Sequence, residues 1–74
     1  MTLKRWARLQ SGDVLRRTHA SRLFPLGAEY IVGLDALGRV YAIWPVVVGY
    51  NPLIDGPITD VEHWEYVPGK RLSH

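Results

Sequence analysis

The chain contains no cysteine, and this absence removes two common ways of stabilising a small protein. Neither a disulfide nor a thiolate-bound metal can hold its 74 residues together. A chain of this length forms one domain, so a dense apolar core or self-association must supply the stability. The composition supports such a core, because 47% of the residues are hydrophobic and include three Trp, four Tyr and one Phe.

Long hydrophobic runs are also missing. The first ten residues carry Lys4, Arg5 and Arg8 and have no continuous apolar stretch, which is unlike a signal peptide. The longest uncharged apolar stretch, residues 40–50, is too short for a membrane span and contains Pro45. These features predict a cytoplasmic protein with no membrane partner.

Turn signals occur at short and fairly regular intervals, where Gly or Pro stands beside Asn, Asp or Ser. Between them, residues 13–18, 29–34, 39–48 and 63–67 are predicted as four strands. Residues 35–38 are predicted to join the second and third strands as a hairpin, with Gly38 in the left-handed position. Short strands between frequent turns predict a mainly β fold.

The N-terminal segment, residues 2–10, admits two interpretations. Thr2 can cap a short helix that places Leu3, Trp6 and Leu9 on one stripe, or the segment can be an opening strand. An extended or mixed conformation is favoured, because a helix of nine residues is marginal unless it packs against something. Residues 50–60, with two prolines, are predicted to form an ordered loop.

The run Leu-Gln-Ser-Gly-Asp-Val-Leu-Arg at residues 9–16 resembles the opening of SH3-like small barrels, where a Gly-Asp turn begins the first long strand. The rest of that pattern is similar to residues 27–32, the hairpin at Gly38 and the Trp-Glu-Tyr-Val run at 64–67. Residues 46–60 depart from the pattern as an insertion. The resemblance implies an SH3-like barrel or a five-stranded antiparallel β-fold. Short proteins of this layout resemble bacteriophage accessory proteins, which implies a regulator or inhibitor of a host protein.

The domain prediction is one unit over residues 1–74, with an N-terminal segment at 1–10, a β core at 11–67 and a flexible basic tail at 68–74. Few residues in it suggest chemistry. His19, His63 and His74 have no metal-ligand spacing. Asp60 and Glu65 lie near His63 in the sequence, but they are interpreted as a solvated strand face. With no nucleophile motif and no phosphate-binding loop, we expect neither an enzyme nor a cofactor.

The charge distribution is more informative than the formal net charge of +2. Residues 1–22 hold six basic side chains against Asp13 alone, a balance of +5, and residues 23–67 have a balance of −5. Such a surface can bind nucleic acid or an acidic partner, unless the acidic half of the same molecule neutralises it. The candidate residues are Lys4, Arg5, Trp6, Arg8, Arg16, Arg17 and Arg22.

The third predicted strand suggests a different surface. Residues 40–48 are apolar on both strand faces, whereas a strand with one face in water alternates. Both faces are therefore covered within the domain, or one face contacts a partner protein or a second copy of the chain. The candidate interface residues are Tyr41, Trp44, Val46, Val47 and Tyr50. A non-enzymatic protein-interaction module is the function we expect, with nucleic-acid binding as the alternative.

Overall fold

A computed structural model describes residues 1–44 and 55–69 of the chain. It contains a short helix α1 (Leu3–Trp6), four strands β1 (Val14–Arg17), β2 (Glu29–Leu34), β3 (Val40–Trp44) and β4 (Trp64–Tyr66), and a 3₁₀-helix (Val61–His63). The strands form one antiparallel sheet in the order β3-β2-β1-β4. The mainly β prediction is confirmed, but over the described ranges the sheet is open and has no fifth strand.

The strand predictions hold for the residues that can be compared. β2 has the predicted bounds, and β1 lies inside the predicted range. β4 begins at Trp64 rather than His63, because the 3₁₀-helix occupies the preceding residues. The first part of the third predicted strand is β3, and residues 45–48 lie outside the described ranges. No helix in the described ranges has the length and apolar character needed to span a bilayer.

The N-terminal segment is mixed, as predicted: Thr2 caps a helix of one turn, and residues 7–10 continue it as a turn and irregular backbone. The Oγ1 atom of Thr2 accepts a hydrogen bond from the Arg5 amide at 3.1 Å and so caps α1. Packing supplies the stability that so short a helix lacks by itself, since Trp6 lies against the core and Leu9 is buried within it. The Met1 ammonium also donates to the Trp64 carbonyl at 3.1 Å, which fixes the segment beside β4.

The hairpin between β2 and β3 forms as predicted. Gly38 has φ +78° and its amide donates to the Asp35 carbonyl at 3.0 Å. The Asp35 carboxylate accepts hydrogen bonds from the amides of Leu37 and Arg39, each at 2.9 Å. This local network fixes the start of β3, which becomes one wall of the groove described below.

The core lies on one face of the sheet. It contains Leu15 from β1, Val32 from β2 and Val40 from β3, together with three aromatic rings packed edge to face. The ring centroids of Phe24, Tyr30 and Trp64 lie 5.0–5.8 Å apart. Phe24 comes from the loop between β1 and β2, so this loop is part of the core rather than a free connection.

The opposite face of the sheet also carries apolar side chains. Val14, Ile31 and Val67 lie on this face and are all buried. β3 contains a bulge here, because Ile31 pairs with Trp44 whereas Val32 pairs with Ala42. Both faces of the sheet are therefore apolar near its centre, on β1 and β2.

Candidate functional site

An apolar groove of about 300 Å³ lies between α1, the start of β3 and residues 57–61. Three parts of the chain that are distant in sequence meet there, and the wall formed by residues 57–61 is held by a hydrogen bond from the Ile58 amide to the Val40 carbonyl at 2.8 Å. The groove is lined by Leu3, Trp6, Gly38, Arg39, Val40, Pro57, Ile58, Thr59 and Val61. Among the described residues of this lining, Arg39 is the one with a charged side chain.

Exposed leucines stand at and near the groove. Leu3, in the lining, is 75% exposed, and Leu37, next to the lining residue Gly38, is 78% exposed. Leucines of a domain this small are expected to enter its core, and burying one fully is worth about 1.5–3 kcal/mol. Because about three quarters of each of these two side chains is exposed, most of that burial energy is available to a partner.

α1 is held in place by contacts on its other sides. The Arg5 guanidinium stacks over the Tyr66 ring at 3.6 Å from the centroid, and Trp6 packs against the core while also lining the groove. Together with the Met1 hydrogen bond to β4, these contacts fix the groove wall before any partner arrives. A fixed wall reduces the ordering cost of binding.

A buried ion pair is the most elaborate polar feature of the described residues. Arg17 is only 4% exposed, and its Nη1 atom donates to the Asp60 Oδ2 atom at 2.8 Å. Its Nε atom donates to the His19 carbonyl at 2.6 Å, and its guanidinium lies 5.2 Å from the Phe24 ring centroid and 4.9 Å from that of Trp64. This arrangement satisfies a charge that is costly to bury alone.

Asp60 is the centre of this cluster. Its Oδ1 atom accepts from the Trp64 indole at 3.0 Å, and its Oδ2 atom is 3.1 Å from the His63 Nδ1 atom. Burial raises the pKa of the Asp60 carboxyl, but hydrogen bonds from Trp64 and Arg17 and the Arg17 charge lower it more, so the pKa lies below its ordinary value. The sequence interpretation of Asp60 as part of a solvated face was therefore wrong, since the carboxylate faces a buried cation 43 positions away.

The imidazole rings of His19 and His63 stack at 4.1 Å between centroids. Because their planes are nearly parallel, at 22°, their nitrogen lone pairs do not converge on one point. Within residues 1–44 and 55–69, no group of three potential ligands could hold a metal ion. The cluster thus joins the loop after β1 to the 3₁₀-helix, an arrangement that stabilises the fold.

The predicted basic surface divides into engaged and free side chains. Arg16 bridges Glu29 at 3.0 Å and Glu65 at 2.5 Å. Arg17 is buried against Asp60, as described above, and Arg5 is stacked on an aromatic ring. No salt bridge to another described residue involves the remaining cations of this set, which are Lys4, Arg8 and Arg22.

The predicted interface on the third strand is described only in part. Tyr41 lies on β3, half-buried, and its hydroxyl donates to the Asp35 Oδ2 atom at 3.2 Å. Trp44 ends β3 and pairs with Ile31 through the backbone. Val46, Val47 and Tyr50 lie outside the described residues, so an interface around them stays a prediction.

Sequence reasoning missed most of the groove. The stripe formed by Leu3 and Trp6 was noted, but only as evidence for a helix, and Trp6 was assigned to a basic surface. Arg39 and residues 57–61 gave no signal, because their proximity to α1 arises from the tertiary fold. Leu3 gave no usable sign either, because its exposure follows from the tertiary fold.

Comparisons with known proteins give no further information on this site. No protein-family model, no curated protein and no solved structure matches the chain. The similarity to SH3-like barrels and to bacteriophage accessory proteins therefore stays an expectation from the sequence.

Proposed function

We propose that this protein is a non-enzymatic protein-interaction module that binds an apolar segment of its partner in the groove beside α1. The observation that supports this most strongly is the groove itself, apolar over nearly its whole lining and bordered by a leucine that is 75% exposed. Interfaces concentrate their binding energy in a few well-packed apolar anchors. Leu3 and Trp6 are side chains of that kind, and both are held on a fixed helix.

The groove is suited to part of a peptide rather than to a large substrate. Its volume of about 300 Å³ is at the lower end of the range for small-molecule sites. It carries few polar groups that could orient a reacting molecule, and the Asp60 cluster lies outside its lining. These features favour binding over catalysis. A closed SH3-like barrel, and a role in regulating or inhibiting a host protein, remain proposals from the sequence resemblance.

Nucleic-acid binding is the second candidate function, and it is supported by the three free cations Lys4, Arg8 and Arg22. It is the weaker candidate, because Arg16 and Arg17 are already bound to carboxylates of the same chain. A dedicated nucleic-acid surface is expected to have an uncompensated basic face.

Selection from a display library of random dodecapeptides tests the proposal, with two leucine variants as a matched pair. Leu3→Ser removes an exposed leucine in the groove, and Leu26→Ser removes a leucine that is 66% exposed but does not line it. Neither side chain belongs to the core, so both variants are expected to fold like the wild type.

Peptides selected on the wild-type protein are expected to bind Leu3→Ser about tenfold more weakly or worse, and to bind Leu26→Ser within about twofold of the wild type. A third variant, Thr59→Trp, fills the groove without changing the charge and should also abolish binding. Equal binding to all four proteins would show that the groove is not the docking site.

A further inference from the structure

Almost every carboxylate in the chain is engaged by an internal partner. Glu29 and Glu65 share Arg16, and Asp60 holds Arg17. The other acidic side chains also have internal contacts. Asp35 is bonded to Arg39 and to two backbone amides, and Asp13 accepts from the Gln10 amide. Asp55 has a partner, and Glu62 lies 4.0 Å from the His63 ring. Arg5 has no carboxylate partner either, but its guanidinium is stacked over the Tyr66 ring. The basic side chains left without either kind of contact among the described residues are Lys4, Arg8 and Arg22.

Two of these free cations lie on or next to the helix that forms a groove wall. Lys4 follows Leu3 directly in α1, and Arg8 lies in the turn that follows the helix; both side chains are exposed. There is no acidic residue in residues 1–12. Arg39 places a guanidinium in the lining itself; because its Nε atom is paired with Asp35 at 2.6 Å, it offers a partner hydrogen-bond donors rather than uncompensated charge.

We infer that the partner is a protein segment that carries carboxylates beside its apolar anchor. This inference rests on the proposed docking function and names the chemistry of the partner. The anchor enters the groove against Leu3 and Trp6, and the flanking Asp or Glu residues face Lys4, Arg8 and the terminal nitrogens of Arg39. Basic segments are disfavoured at the same site because they place like charges together.

A protein fits this surface better than a nucleic acid does. A sugar-phosphate backbone has no aliphatic anchor to fill a groove lined by leucine, isoleucine and valine. The two arginines that could have extended the basic surface along the sheet, Arg16 and Arg17, are neutralised by carboxylates of the same chain. The remaining positive charge is local to the groove rim and the loop that holds Arg22, which suits a short acidic segment.

The test uses the peptides selected above and a matched pair of charge reversals. The double variant Lys4→Glu with Arg8→Glu changes two exposed cations, one in the helix that forms a groove wall and one in the turn after it. Arg22→Glu changes an exposed cation in the loop between β1 and β2, which contributes no residue to the lining. We expect the selected peptides to be enriched in Asp and Glu around an apolar residue. Their affinity for the double variant should be about tenfold lower or worse at 50 mM NaCl, and this loss should be smaller at 500 mM NaCl. Their affinity for Arg22→Glu should stay within about twofold of that for the wild type.

The other outcomes distinguish the inferred charge preference from the docking function. Selected peptides that are uncharged or basic, yet still lose binding on Leu3→Ser, would overturn the inferred charge preference and leave the docking function intact. Failure to select any peptide that depends on Leu3 would overturn both. Displacement of a selected peptide by a random single-stranded oligonucleotide, with a steep salt dependence, would show that the surface binds nucleic acid instead.

Discussion

Replacing Asp60 by Asn tests the role assigned to the buried ion pair. The substitution removes the negative charge that lies 2.8 Å from the Arg17 guanidinium. The amide of Asn places either an NH2 group or a neutral, weaker hydrogen-bond acceptor at the same position. One amide oxygen can still accept from the Trp64 indole, so this hydrogen bond is kept and the main change is electrostatic. Arg17, at 4% exposure, is left without its counter-charge.

The expected cost follows from this geometry. Removing one partner of a fully buried pair costs about 3–5 kcal/mol, and the partial exposure of the Asp60 carboxylate reduces this to about 2–3 kcal/mol. A domain of this size has a total stability of about 4–11 kcal/mol, so the loss is a large share of it. The melting temperature should fall by roughly 10–20 °C.

Urea denaturation followed by tryptophan fluorescence and by circular dichroism measures this loss. Glu62→Gln is the control, because this neighbouring carboxylate is 73% exposed and its neutralisation should change the unfolding free energy by less than about 0.5 kcal/mol. The double variant Arg17→Met with Asp60→Asn should be more stable than Asp60→Asn alone, since it removes the unpaired cation. An Asp60→Asn protein within about 0.5 kcal/mol of the wild type would refute the assigned role.

Besides the binding predictions for Leu3 and for the pair Lys4 and Arg8, two further predictions concern the stability of the fold. Because the pKa of Asp60 is lowered in the folded state, its contribution is complete above about pH 4 and is lost as the pH falls through the folded-state pKa. The wild type should therefore lose more stability than Asp60→Asn between pH 5 and pH 2 in urea titrations, and parallel pH profiles would contradict this. Gly38→Ala should cost about 1 kcal/mol or more in the same assay, because φ is +78° there while the added methyl group meets no atom within 4 Å. No measurable loss would show that the hairpin adopts another turn.

Local features of the fold could be predicted from the sequence. The aromatic and β-branched residues Tyr30, Ile31 and Val32, with turn residues on both sides, predicted β2 with its observed bounds. The hairpin at Gly38 was predictable because a positive φ at that position requires glycine. The cap at Thr2 was visible in the sequence, but the choice between helix and strand stayed open, because the contacts of this segment with Tyr66 and Trp64 follow from no local rule.

The candidate site was less predictable because its parts are distant in sequence. The charge split between the two halves of the chain was clear, and internal neutralisation was correctly considered as an alternative. Composition alone, however, could not show that Arg16 and Arg17 would be neutralised while Lys4 and Arg8 would not. That distinction depends on the pairing of β1 with β4, which brings Arg16 beside Glu65. The groove likewise exists only once residues 57–61 lie against β3 and α1.

The most direct test of the docking site is to map a bound peptide on the isotope-labelled full chain by amide chemical shifts in NMR spectra. For an acidic peptide selected on the wild-type protein, the largest shifts are expected at Leu3, Gly38 and Thr59, on the three walls of the groove. Shifts concentrated instead around Arg16 and Tyr41, on the opposite face of the sheet, would contradict the assignment of the groove as the docking site.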